Sequence, residues 1–491
     1  MLNFPRNMTT TLPTSLAQTY DDLKWRYFEE LAHSHFYKGD VRAFVGLRTW
    51  HHERKISEEG CLSHEAHVLG LEKAVSEVSA ANENTFQRLF DSTLDDWREC
   101  QKNWPHGFEQ HIWPDHSLQI ENTETGKGLT VISLFSGALG LDLGFHQNGF
   151  EVRLANDFEK SAAEVGRVNL PKLPFLCCDI NDLTSADLLR EAGLKRGKVD
   201  VLIGGPPCQP FSTAGKRQSF NDVRSSPIIA FLNAVKEIQP RVFVMEEVTG
   251  LLSSRLEHIP ETERDDENLT SEQEHGSAFR WLISQLDETG YDYTYEVLNA
   301  ANFGAPQTRN RIIFIGVRRG NASLPQPTHS KERDGDLFSY KKNLLPWNTF
   351  WEATANLFEP GACGKYAKGI APRMKLVPPG GYWRHLPQND IAAAMGGAVD
   401  AAGGKMGFYR RLAWDEPSPT VVTSPAQKGT IFGHPYEQRP LSVAEFKRLQ
   451  GFPDSWEIPG ASAVQYKLIG NAVSVHMSSA IARHVAQLLK K

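Results

Sequence analysis

The chain has 491 residues, 40% of them hydrophobic and 23% charged, which excludes a disordered polymer and calls for two or three hydrophobic cores. No apolar run approaches the roughly 18 residues of a membrane span, and MLNFPRNMTTTLPTSLAQ lacks the apolar centre of a signal peptide. The six cysteines form no CxxC pair and no disulfide framework, so a cytoplasmic setting is expected; the net charge of −6 is concentrated before residue 129, leaving 40 basic and 39 acidic residues beyond it.

Residues 1–18 read as a loose tail. From Tyr20 to about Cys100 the pattern is helical: Leu23, Tyr27 and Leu31 recur at that spacing, as do Leu69, Leu71, Val75 and Val78. Residues 114–128 are a polar linker. At Leu129 the texture changes. LTVISLF predicts a strand, SGALG a turn, and LDLGFHQNGF a helix. EVRLAND, PFLCCDI, DVLIGG, RVFVMEEV and RIIFIGV predict further strands, with IIAFLNAVKEI and FRWLISQLDETG as helices between some of them. Alternation of this kind predicts an α/β fold with a parallel sheet. Residues 261–277 hold seven acids and one arginine, the composition of an exposed, mobile insertion. From about 327 to 440 the alternation gives way to glycine, proline and aromatics, predicting a second, irregular domain. SVAEFKRLQGF predicts a helix, and a last helix is expected from Val473 to Leu489.

Four segments carry chemistry. FSGALG follows a strand and opens a helix, so its backbone N–H groups can face a cofactor. Asp157 lies 20 residues beyond Gly137, at the end of the next strand, where a carboxylate commonly accepts from ribose hydroxyls. Phe158 can pack on an adenine ring, and Asp179 can take an adenine amino proton. This set fits any nucleotide-like cofactor, although the missing GxGxxG order points away from NAD. GGPPCQPFS, residues 204–212, places Cys208 on a proline-stiffened loop after a strand. FVMEEV ends a strand at Glu246, where a protonated carboxyl can donate. In QTRNRIIFIGV, Gln307, Arg309 and Arg311 alternate and are expected to share one face, presenting forked cations to a carbonyl or phosphate. A thiolate, an acid, an arginine and an adenosine-type cofactor together suit methylation of C5 of cytosine: attack at C6 with protonation at N3 makes an enamine whose C5 accepts a methyl group.

These segments, in this order, resemble the cytosine-C5 DNA methyltransferase family, from about residue 129 to 488. NDF, CDI, MEEV, NFGAPQTRNRIIFIGV, RPLSVAEFKRLQGFPD and YKLIGNAVSVHMSSAIA are similar to family motifs alongside FSGALGLDLGF and GGPPCQPFS. The resemblance implies a Rossmann-like domain over 126–326, completed by 465–491 and binding S-adenosylmethionine (product S-adenosylhomocysteine). It implies a target-recognition domain over 327–440, with 441–464 as the hinge and return. Double-stranded DNA is held between the two domains, with the cytosine flipped out. By position, Cys208 is the nucleophile and Glu246 the N3 acid. Arg311 and Arg309 contact the cytosine and nearby backbone. Phe135, Gly137, Gly140, Asp157, Phe158, Asp179, Ile180 and Asn471 line the cofactor pocket. The loop after Ser212 carries Lys216, Arg217 and Arg224 to phosphates, and Thr420 ends the recognition region.

The sequence departs from the family at three places: Glu247 stands where Asn is usual, Leu139 where Gly is common, and GNAVSV lacks the common Pro-Pro. Residues 1–125 lie outside the resemblance. They hold nine histidines but no paired cysteines, so no metal site is expected there. They read as a helical interaction module. Tyr382, Trp383, Arg384, Arg410 and Arg411 are candidates for DNA contact. The reading is a DNA (cytosine-5-)-methyltransferase of a restriction–modification or other defence system, cytoplasmic and nucleoid-associated through DNA, with cognate restriction or defence proteins as partners. An RNA cytosine methyltransferase, a catalytically impaired DNA-binding regulator and a cysteine enzyme acting on a metabolite are the alternatives.

Overall fold

The computed structural model describes residues 122–207, 227–257, 269–331, 344–354, 361–399 and 407–490, except 379, 414, 415 and 436, together with a few isolated positions. The expected N-terminal helices, the Cys208 loop to residue 226 and much of the acidic insertion lie outside the described residues. The chain divides into two compact units, the first containing 120–347 and 450–491, the second containing 348–449.

The first unit is built on a seven-stranded sheet. Its strands are β1 (Thr130–Leu134), β2 (Glu151–Asn156), β3 (Phe175–Leu176), β4 (Val201–Gly204), β5 (Val242–Val248), β6 (Asp292–Asn299) and β7 (Asn310–Val317). The spatial order is β3-β2-β1-β4-β5-β7-β6. The first five are parallel, and β7 runs antiparallel to both β5 and β6. The strand order reverses between β1 and β4, so the loops leaving their carboxyl ends diverge and open a crevice.

Strand periodicity sorts the core into two layers. Ile132, Leu134, Leu202, Phe243, Met245, Ile312 and Phe314 face one way. There they meet helices α3 (Ser185–Ala192), α4 (Pro227–Ile238) and α5 (Ser277–Asp287). The alternate residues Val131, Val201, Ile203, Val242, Val244, Ile313 and Ile315 face the other way. They are covered by α1 (Gly140–Gln147) and the C-terminal helix α7 (Val475–Lys490). Helix α2 (Lys160–Asn169) follows β2.

Three details differ from the sequence-based expectation. The apolar run PFLCCDI yields only a two-residue strand, because the Asn156 amide donates to the carbonyls of Leu176 and Cys178 (2.9 and 3.0 Å) and takes the chain out of the ladder. Strand β6 was not expected from DYTYEVLN, yet β7 pairs with it along its whole length. The last helix is preceded by a separate one, α6 (Ser462–Asn471), and the chain turns between them at Ala472–Ser474.

Helices α1 and α7 approach to backbone contact. A β-carbon on Gly144 would lie 2.3 Å from Ser478 Oγ and 2.6 Å from the Ser479 nitrogen. The Ser478 hydroxyl donates to the Leu141 carbonyl, and buried Asn148 donates to Gly144 O and Ser479 Oγ (both 2.7 Å).

The second unit has little regular structure. Its described short helices include Phe350–Thr354, Ile370–Met374 and Gln388–Met395, and the last two pack around a core of Met374, Val377, Leu386, Tyr409 and Ile431. Its polar anchor is Arg439, which forks onto Glu437 and Glu445, while Glu445 also accepts from the Ser442 nitrogen.

Gly144→Val should therefore destabilise the first unit by about 1–3 kcal/mol and lower its melting temperature by about 2–10 °C. Calorimetry of the full chain checks this, and an unchanged transition would contradict the backbone-contact account.

Candidate active site

Phe135, Gly137, Asp157, Phe158, Asp179, Glu246 and Arg311 lie along the carboxyl edge of the first unit's sheet. At the end of β1 the backbone makes a tight reversal in which Phe135 (φ 57°), Gly137 (φ 52°) and Leu139 (φ 64°) are left-handed. Glycine takes this conformation freely, whereas Phe135 and Leu139 are strained there, and such strain concentrates at functional sites. Leu139, where the family commonly has Gly, meets that strain fully buried. The reversal is held by Asp157 at the end of β2: its Oδ2 accepts from Gly137 N and its Oδ1 from Glu159 N, both at 2.9 Å. Burial pushes the Asp157 carboxyl up, and the two amide donors pull it back. Each oxygen keeps a second lone pair for a hydroxyl donor.

Above this turn the surface is open. Among the described residues, no atom beyond the chain neighbours of Gly137 lies within 4 Å of where its β-carbon would stand. Phe158 is 58% exposed, unusual for a phenyl ring next to a core. Asp179 follows β3 and accepts from the Asn181 backbone and amide at 2.9 Å, with Ile180 buried beside it. Asn471, the last residue of α6, is exposed. Gly140 has a packing role, since a β-carbon there would meet Val473 O at 2.4 Å. The C-terminal segment is also tied to the β2–α2 region. Lys467 pairs with Glu159 at 2.5 Å, and Asn169 exchanges hydrogen bonds with the Glu457 backbone at 2.7 and 2.8 Å.

The second half of the site comes from β4, β5 and β7. Glu246 sits opposite Ile313 in the antiparallel ladder, and Arg311 sits opposite Val248. Glu246 and Arg311 are thus diagonal neighbours on one face, within reach of long side chains. Arg311 Nε lies 2.6 Å from Glu246 Oε1, and both side chains are largely buried. The other carboxylate oxygen faces the β4 loop: a β-carbon on Gly205 would stand 3.0 Å from Glu246 Oε2. Gly205 opens the segment that leads through Pro206 and Pro207 to Cys208. Glu247 points to the opposite face of the sheet, as the next residue in a strand must, and is 2% exposed. It does not share the Glu246 site.

Gln307, Arg309 and Arg311 were expected on a common face, but they reach three different partners. Gln307 donates to Gln450, and Arg309 donates to Gly470 O at 3.0 Å. Arg309 is 1% exposed, and burial brings its pKa down to about 9, with the Arg311 charge adding to the effect and Glu246 opposing it. Cys208, Ser212, Lys216, Arg217 and Arg224 lie outside the described residues. In the second unit, Thr420 is half-buried, and Arg384 stacks on Trp383 with 5.3 Å from guanidinium to ring centroid. Their short turn is pinned by hydrogen bonds of Gly380 N to Leu412 O, Arg411 N to Gly381 O and Trp383 N to Phe408 O. The Arg411 side chain, a candidate for DNA contact, is buried and donates to Met374 O at 2.8 Å. Among the described residues no group of three or more His, Cys, Asp or Glu side chains could hold a metal ion, and no helix is long and apolar enough to cross a membrane.

A sequence profile of the C-5 cytosine-specific DNA methylases matches residues 129–487. Type II methyltransferase M.PspPI of Psychrobacter sp. (strain TA137) is 36% identical over 375 residues, covering 74% of this chain and 81% of that protein. Type II methyltransferase M.Eco47II of Escherichia coli is 34% identical over 450 residues, covering 89% of this chain and 97% of that protein. A match of that extent reaches well into the residues before 129. Type II methyltransferase M.Sau96I of Staphylococcus aureus is 33% identical over 388 residues, covering 77% and 80%.

Sequence reading missed one buried acid beneath the β1 turn. Asp142, in the first turn of α1, is fully buried, and its pKa is raised to about 7, chiefly by burial. Among the described residues its oxygens find no well-aligned donor, and the nearby hydroxyls of Ser133 and Ser136 pull the value back only in part. A carboxyl whose folded pKa lies above its unfolded value of 3.8 costs nothing below that value, and stability falls as pH rises toward 7. Asp142→Asn should melt like the wild type near pH 4 and be more stable above pH 7, by on the order of 3–4 kcal/mol. Melting curves across this range check it; a constant difference at all pH values would sink the assignment.

Proposed function

Because this chain belongs to the C-5 cytosine-specific DNA methylases, we propose that it transfers a methyl group from S-adenosylmethionine to C5 of a cytosine flipped out of a short, specific duplex sequence. The observation that carries this reading is the Glu246–Arg311 pair, set against the Gly205 end of the Cys208 loop. The β1 turn on the same edge of the sheet supports a site for the methyl donor. Open space over Gly137, an exposed Phe158 and carboxylates following β2 and β3 fit an adenosine-bearing group. Phe158 would pack on the adenine, Asp179 would accept its amino proton, and Asp157 would take ribose hydroxyls on its outer lone pairs. Phe135, Ile180 and Asn471 would complete the wall.

The methyl donor supplies an electrophilic methyl group. The residues of the chain make cytosine able to accept it. Cys208 bonds through sulfur to C6, pushing the ring's electron pair toward C5, while Glu246 supplies the proton at N3. Arg311 fixes the acid through Nε and spends Nη1 on the Asn310 carbonyl at 2.8 Å, leaving Nη2 to donate to the cytosine O2. After methylation, a solvent base takes the C5 proton, the C6–sulfur bond breaks to release the Cys208 thiolate, and N3 returns its proton to Glu246, which restores the aromatic ring. Lys216, Arg217 and Arg224 hold phosphates, and the 348–449 unit reads the sequence, with Thr420, Trp383 and Arg384 as its contact residues. The relatives' names support a place in a restriction–modification or other defence system, acting on DNA in the cytoplasm.

Bisulfite sequencing of plasmid DNA from cells expressing the wild type or Cys208→Ser should give methylated cytosines at one short motif in the first case and none in the second. No methylation in either would point to a DNA-binding regulator or an RNA substrate. Glu246→Gln should lower turnover by about 10²–10⁴-fold, whereas Glu247→Asn should stay within roughly threefold of wild type, because Glu247 lies on the opposite face of the sheet and its change leaves transition-state contacts intact. Single-turnover methylation with labelled donor measures both, and comparable losses would refute the separation of the two acids.

A further inference from the structure

The turn between α6 and α7 is held from inside by two side chains of other segments. A helix end leaves its last carbonyls without intrahelical partners, and in a dry interior each must find a donor. Here Gln450, fully buried, donates through its amide nitrogen to Ile469 O at 2.8 Å and Ala472 O at 2.7 Å, while its own oxygen accepts from Gln307. Arg309 takes the carbonyl between them, Gly470 O, and its cation lies at the negative end of α6. Carbonyls on both sides of Asn471, Gly470 O before it and Ala472 O after it, are therefore held, and Asn471 alone in this stretch is exposed. The same segment packs on the β1 turn: a β-carbon on Gly140 would stand 2.4 Å from Val473 O and 3.2 Å from Ala472 Cβ.

We propose that Gln450 and Arg309 are positioning residues of the methyl-donor pocket, a clamp that sets the Asn471 turn against the β1 turn. The proposal rests on the reading of Asn471 as part of that pocket. It also gives Arg309 a role distinct from touching cytosine: enclosed at 1% exposure and spent on Gly470 O, it links the Glu246–Arg311 side of the site to the cofactor side.

The test is titration calorimetry of S-adenosylhomocysteine into the full-length protein without DNA, together with steady-state methylation. Gln450→Leu should weaken S-adenosylhomocysteine by about tenfold, the loss expected when Ala472 O is left without its donor and Ile469 O keeps only the longer bond from Ala472 N at 3.2 Å. KM for the methyl donor should rise in parallel, with kcat at saturating donor and KM for DNA within twofold of wild type. Arg309→Lys, which keeps the charge and one donor, should weaken it by about threefold and serves as the test if Gln450→Leu does not fold. A folded Gln450→Leu with a lower melting temperature but wild-type affinity would overturn the clamp. Asn471→Ala separates the two levels. If it binds as wild type, the pocket assignment falls and the clamp with it; if it weakens binding while Gln450→Leu and Arg309→Lys do not, the clamp alone falls.

Discussion

The backbone contact between α1 and α7 is the constraint on which the first unit depends. The sheet has two apolar faces, and β1, β4, β5 and β7 each send alternate residues to both. Helices α3, α4 and α5, all from the middle of the chain, cover one face. The other is covered by α1 and by a helix that begins more than 300 residues later. That helix reaches the sheet only because Gly140 and Gly144 carry no side chain where Val473 O and Ser478 must lie. The approach of α7 also brings the Ala472–Val473 turn against Gly140, so covering the sheet and forming the proposed methyl-donor pocket are one event.

The site inherits its geometry from the sheet's mixed direction. Parallel strands β1, β2 and β4 end at the same edge and deliver backbone turns there, which is where ligands of such sheets bind. A parallel strand would carry its first residues to the far edge. Because β7 is antiparallel, its beginning returns to the functional edge, and Arg311 arrives diagonally across from Glu246. The ion pair therefore needs no special loop; it follows from register.

Burial then divides chemically identical groups. Asp157 ends a strand and spends its charge on two amides, whereas Asp142, under the same turn, finds no aligned donor among the described residues and is held near neutral. Arg311 pairs with the acid at the partly open edge, while Arg309, two residues earlier, is enclosed and caps a helix. Glu246 and Glu247 are separated by the strand's pleat. In each pair residue type is constant and only the surroundings differ, so local dielectric and available partners set the role.

The sequence by itself determined which residue types stand at the ends of strands, because hydrophobic runs of strand length and small-residue turns are local signals. Six of the seven strands (β3 shorter than expected), α1, α4, α5, α7 and the positions of Asp157, Phe158, Asp179, Glu246 and Arg311 were legible on that basis, and the ordered motifs identified the family. Strand β6 was obscured because DYTYEVLN is an edge strand with several exposed residues, so its alternation lacks an apolar stripe. The last helix is legible from Val473, close to the observed Val475, but α6 before it reads as loop because SAVQYKLIGN carries no clear apolar stripe. What only the tertiary structure decided was pairing: that Gln450 and Arg309 serve carbonyls of α6, that Arg411 turns inward to Met374 O, and that Glu247 leaves the site. A buried polar group must find its partner wherever the fold brings one, and that choice depends on which distant backbone atoms become neighbours, not on the spacing of residues along the chain.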